Sequence, residues 1–177
     1  MARWFWFFLI YSFLGYCLEK LFAYAVHSSR QVRKCFLFLP LCPVYGLAMT
    51  AVLSLSVPAF PFWVQAVIGG VLCTGVEYLV HLYYDKLFQT HFWDYSDLSF
   101  HLAGRICPHF ALVWGILSAL AVRYLQPGIA AAAEAIPPAL TLGVWIVLAA
   151  DCLCTAILLH RYHDTELLSI GALLSQQ

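Results

Sequence analysis

Runs of apolar residues separated by short polar breaks dominate the chain. Four of them, at 4–26, 62–84, 106–125 and 138–160, are long enough to cross a bilayer as a helix, which needs about 20 mainly apolar residues. A fifth, at 36–57, passes on length but carries Pro40 and Pro43 near its start. Each proline removes a backbone donor, so the opening turn is expected to be irregular or re-entrant. Pro58 and Pro61 punctuate the turn that follows. The pattern predicts an all-α, polytopic membrane bundle of about five transmembrane helices, forming a single domain over 1–177.

Composition excludes the alternatives. Of 177 residues, 63% are hydrophobic and 10% charged, with a mean hydropathy of +0.84. A soluble domain averages about 45–50% apolar and about 25% charged residues, and a chain this small cannot hide such an excess. The net charge of zero offers no basic field for nucleic acid. The seven cysteines form no C-x-x-C pair, and all are read as reduced thiols. Glu19 and Lys20 interrupt the first apolar run, and no small-residue cleavage site follows it, so it reads as a retained anchor.

Loop charges set the expected orientation. Arg30, Arg33, Lys34, Lys86, Arg105 and Arg161 fall on one side, and Arg3 and Arg123 on the other. The N-terminus is expected outside and the C-terminus in the cytoplasm, which makes 85–105 a cytoplasmic loop. On this topology Glu19, Glu77 and Asp151 lie at similar depth, with Arg105 at the mouth of the fourth span and Tyr45 in the same half of the second. A charged side chain at the centre of a membrane helix costs about 2.5–3.5 kcal/mol. Three carboxylates at one depth therefore point to a shared polar cavity holding protons, a cation or Arg105. The bland alternative makes them interhelical glue.

Spacing refines the faces. Ser12, Gly15 and Glu19 form one stripe, and Gly70, Cys73, Glu77 and His81 another. Glu77 and His81, four apart, are a weak candidate pair for a metal ion, although two ligands do not make a site. The 85–105 loop mixes Phe88, Phe92, Trp93, Tyr95 and Phe100 with Asp94, Asp97, His91 and His101. It suits either an interfacial aromatic anchor or a lid over the cavity, with Arg105 placed for an anionic headgroup.

Five motifs bear a resemblance: G-Y-C-L-E at 15–19, P-L-C-P-V-Y-G at 40–46, V-E-Y at 76–78, F-W-D-Y-S-D at 92–97 and G-R-I at 104–106. Over about residues 5–155 the chain resembles the CmpB family of small bacterial membrane proteins, named putative ABC-transporter type IV. That resemblance places Glu19, Glu77, Trp93, Asp94, Tyr95 and Arg105 on motif positions and implies a multi-pass protein of the bacterial plasma membrane. The chain departs from the family pattern at Leu39, where Gly is preferred, and at His101, where Asn is.

The transport reading implied by the family name makes the chain a permease-like component that works with a separate ATPase or another membrane subunit. Two other readings stay open: a membrane-embedded enzyme acting on a lipid or isoprenoid headgroup, and a non-catalytic lipid-binding or assembly factor. The expected ligand-binding or coupling residues are Glu19, Tyr45, Glu77, His81, Trp93, Asp94, Tyr95, Asp97, His101, Arg105 and Asp151, in contact with membrane lipids and an anionic headgroup or small molecule. No cofactor and no catalytic residue is identified.

Overall fold

The computed structural model describes residues 2–25, 35–55 and 59–168. The basic residues Arg30, Arg33 and Lys34, on which much of the expected orientation rests, lie outside the described residues. Five helices follow one another: α1 (Ala2–Ala25), α2 (Pro43–Ser54), α3 (Phe62–Phe88), α4 (Pro108–Glu134) and α5 (Pro138–Tyr162), then a 3-10 turn at Glu166–Leu168. All except α2 are long and apolar enough to cross a bilayer.

Prolines set several of these boundaries. Helices α2, α4 and α5 each have proline in the first turn, where the missing N–H would be unpaired in any case. The second apolar run therefore becomes helical only at Pro43, and residues 35–42 are non-helical, with Cys35, Leu37 and Cys42 buried. The fourth helix continues beyond 125, the expected end of its run, even though Pro127 follows. Proline within a helix clashes with the carbonyl four residues before it. Here the preceding turn, Ala121–Leu125, widens to π geometry, and the Gln126 N–H bonds back to the Ala121 carbonyl. The wider turn lets the helix run on to Glu134.

Small residues bring the helices into two close pairs. Gly15 lies against the Tyr45 ring, and Gly46 against Ser12 and the Phe8 carbonyl, which joins α1 to α2. Gly69 faces Ser118, and Gly70 faces Gly115, which joins α3 to α4. Without hydrophobic driving force between helices in lipid, such close backbone approach supplies the attraction.

Polar contacts mark the two ends of the bundle. At one, Arg3 reaches Glu134 and Trp6 Nε1 donates to Thr141 Oγ1 at 2.9 Å. At the other, His163 Nδ1 meets the Phe88 carbonyl at 2.6 Å, and the loop 89–107 folds across the ends of α3 and α4. An aromatic cluster of Phe36, Tyr84, Phe88 and Phe92 fills this second end together with Leu159 and Leu168.

Candidate functional site

A cavity of about 270 Å³ lies between the two helix pairs. Its walls come from α1, α2, α3 and α4, and Trp93 and Tyr95 of the 89–107 loop close the end nearest that loop. Most of the lining is apolar, from Leu14 and Met49 to Leu117 and Leu125, and two acids stand within it, Glu19 and Glu77.

Local backbone explains how the loop reaches in. Along residues 93–95, which are neither helix nor turn, successive side chains alternate between inside and outside. Trp93 and Tyr95 are buried while Asp94 between them is exposed. The Tyr95 N–H bonds to the Gly104 carbonyl at 2.8 Å, and Trp93 Nε1 donates to the Arg105 carbonyl at 3.0 Å. Gly104 has a positive φ of 69° and sits directly against the Asp94 and Ser96 side chains, so a side chain there meets both strain and collision. Asp94 accepts from the Ser96 N–H at 2.9 Å and from Ser96 Oγ at 2.6 Å. Those two bonds hold its carboxyl below the usual aspartate range. Burial raises the Tyr95 hydroxyl above its ordinary value, and the neighbouring Glu77 carboxylate adds to the shift.

The two acids are held by aromatic donors. Tyr45 OH donates to Glu19 Oε1 at 2.7 Å. Tyr95 OH donates to Glu77 Oε1 at 2.8 Å, and Trp114 Nε1 to Glu77 Oε2 at 3.0 Å. Glu77 is only 6% exposed, so these bonds are what makes its position in an apolar wall tolerable. The Tyr45 ring meets the Trp114 indole edge-on at 5.2 Å, and Phe110 stacks on Tyr95 at 4.9 Å. Glu19, Tyr45, Glu77, Trp93 and Tyr95 thus gather at one end of one cavity.

Other expected members lie elsewhere, which corrects the single-cavity picture. Asp151 does not line the cavity. Its carboxylate accepts the Phe38 N–H at 3.1 Å and the Leu39 N–H at 2.9 Å, tying α5 to the non-helical 35–42 segment. Arg105 does not line it either. Its guanidinium donates to Asp85 at 2.7 Å and lies 5.7 Å from the Tyr78 ring centre. Asp94, Asp97 and His101 are exposed and do not line the cavity; Asp94 holds Ser96, and His101 Nδ1 accepts the Gly104 N–H at 2.9 Å, so these two shape the loop.

His81 is buried, with Nε2 at 3.1 Å from the Trp93 carbonyl, which fixes that nitrogen as the donor. Glu77 and His81, the candidate metal pair, are each bonded to the 89–107 loop. Both carboxylate oxygens of Glu77 serve Tyr95 and Trp114, and among the described residues no three His, Cys, Asp or Glu side chains converge. All seven cysteines are free thiols.

Trp114 was not among the expected site residues, because a tryptophan inside an apolar run looks like lipid-facing bulk. Its one available signal is its place one residue before Gly115, whose close contact with α3 fixes the face that Trp114 presents.

No curated protein and no solved structure matches the chain. A family model does, over residues 6–157, and it covers most of the chain, all five helices in whole or part, and the cavity. The chain therefore belongs to the CmpB family, described as Putative ABC-transporter type IV.

Proposed function

We propose that this multi-pass membrane protein is a transport-type component, a permease-like subunit whose ligand-handling region is the cavity between α1, α2, α3 and α4. The observation that carries this reading is the cavity itself, in which separate helices and the 89–107 loop converge on an apolar space with two anchored carboxylates. Acids inside a membrane bundle mark ligand or ion pathways more often than they mark packing. The family description supports the same reading.

The described residues form the bundle and its connecting loops, and the family description points to nucleotide hydrolysis as the source of energy for transport. The partner we assign is a separate nucleotide-hydrolysing subunit. The membrane is the bacterial inner membrane, and the loop charges favour the end bearing 89–107 as the cytoplasmic one.

Each Glu77 oxygen accepts a hydrogen bond from a fixed ring donor, which positions the carboxylate in the wall while leaving its charge open to a bound ligand.

The test is purification of the tagged chain from its native membrane in mild detergent, with ATP hydrolysis as the readout. Vanadate-sensitive hydrolysis is expected to travel with the wild-type chain. It should also travel with Glu77→Gln, since the cavity lies inside the bundle. A well-folded chain recovered without any nucleotide-hydrolysing subunit, from membranes and after cross-linking alike, would overturn the assignment.

A further inference from the structure

The lining of the cavity is specific enough to name a class of ligand. At the end nearest the 89–107 loop, four aromatic side chains (Tyr45, Trp93, Tyr95 and Trp114) stand with the two acids. The other end is mainly apolar, with Met49 and Leu125, and the Tyr11 hydroxyl there donates to Gln126. None of the residues lining the cavity is Lys, Arg or His. Along α1 the lining runs from Tyr11 to Glu19, which at the helical rise spans about 12 Å from the apolar to the acidic end.

Aromatic faces attract cations through their quadrupole, and rings grouped around a carboxylate are the chemistry that recognises alkylated ammonium groups. Here the geometry strengthens the rings. Tyr45 and Tyr95 each donate their hydroxyl proton to a carboxylate, which pushes electron density back into the ring. The same bonds tell against a bare metal ion. Calcium takes six to eight oxygen ligands and magnesium a near-ideal octahedron, whereas three carboxylate oxygens here already accept from fixed ring donors and the rest of the wall is mainly apolar. An organic ammonium needs no such shell, and its apolar body matches the opposite end.

We propose that the cavity binds an amphipathic organic ammonium, its cationic head between the Tyr45, Trp93, Tyr95 and Trp114 rings and the Glu19 and Glu77 carboxylates, and its apolar part towards Met49 and Leu125. This deepens the transport reading of the same cavity by naming the class of its ligand. The head group belongs either to a water-soluble amphiphile or to a membrane lipid, and the lipid composition of the test separates the two.

The experiment uses the full chain in nanodiscs of phosphatidylglycerol, with empty nanodiscs subtracted. Hexyltrimethylammonium is titrated beside nonan-1-ol, a neutral chain of equal carbon number, and binding is read by calorimetry and tryptophan emission. Saturable binding of the cation is expected, at least tenfold tighter than the alcohol, and about tenfold weaker in Glu19→Gln and Glu77→Gln. Equal affinity for cation and alcohol overturns the proposal, as does binding that both variants leave unchanged. The wild-type comparison needs no variant, so a misfolded mutant does not blunt it.

Repeating the titration with phosphatidylethanolamine in the disc sorts the source. Weakened probe binding identifies a lipid headgroup as the occupant, and unchanged binding a soluble amphiphile, with the ammonium class supported in either case. Equilibrium binding requires no ATPase, so its outcome is independent of whether hydrolysis co-purifies. A bound cation without a hydrolysing partner removes the transport reading alone, and a hydrolysing partner without cation selectivity removes the ligand class alone.

Discussion

Glu77 is buried and Asp151 half-buried among apolar helices, and the two acids answer different needs. Asp151 takes two backbone donors from a segment that has no helical partner for them. Its replacement by Ala leaves both N–H groups inside the bundle without their acceptor, at about 1–3 kcal/mol each. Removing the exposed Arg3–Glu134 pair with Glu134→Gln should cost under about 1 kcal/mol. Unfolding of the two variants in matched detergent checks the contrast, and equal midpoints would remove the structural role of Asp151.

Asp94 gives a pH test. Its folded pKa is depressed by the two Ser96 bonds, so its contribution to stability is fully present above the unfolded aspartate value of about 3.9. That contribution is lost as the pH falls through the lower folded value. Asp94→Asn is therefore expected to lose part of the wild type's acid sensitivity below about pH 4, measured as the unfolding midpoint at each pH. At this scale the sequence reveals depth along the membrane normal but not direction around the bundle. Depth grouped Glu19, Glu77 and Asp151. Direction then separates them, because Glu19 and Glu77 face the cavity and Asp151 faces the 35–42 backbone.

Among the elements, glycine positions separate packing from mere permissiveness. A Cβ at Gly15 runs into the base of the Tyr45 ring, which cannot swing away while its hydroxyl holds Glu19. Gly15→Ala is expected to cost about 1–3 kcal/mol by overpacking and to loosen the α1–α2 contact. At Gly75 an added methyl would meet open space, so Gly75→Ala is expected to gain about 0.5–1 kcal/mol from helix propensity. Thermal unfolding of the pair should move in opposite directions, and a stabilising Gly15→Ala would show the helix pair is not closed there.

The apolar runs made four long helices legible, because bilayer thickness imposes a length that loops cannot imitate. The ends were less legible where proline intervened. Pro40 and Pro43 shorten the second helix, as their missing donors suggested, whereas Pro127 fails to end the fourth. Nothing in a linear pattern announces that a π turn will absorb it.

For the molecule as a whole, the chain enters at the end where Arg3 meets Glu134 and leaves at the end where His163 meets Phe88. Residues at the two termini should therefore label from opposite sides of the membrane. Impermeant thiol reagents applied to cysteine-free chains with single cysteines placed at Ala2 and Asp164 will show this, and labelling of both from one side would refute the arrangement. The charge count further expects Asp164 on the cytoplasmic side, with 89–107.

The bond between Asp151 and residues 38–39 also has a consequence in time. The donors belong to an early part of the chain and their acceptor to its last long helix, 112 residues or more downstream. During synthesis the 35–42 segment emerges with no partner for these N–H groups, and lipid supplies none. Its settled place within the bundle must wait for α5 to enter the membrane. The final helix is thus a latch that closes an insertion begun much earlier, and a chain stopped before Pro138 would leave that segment waiting, exposed to whatever monitors unfinished membrane proteins.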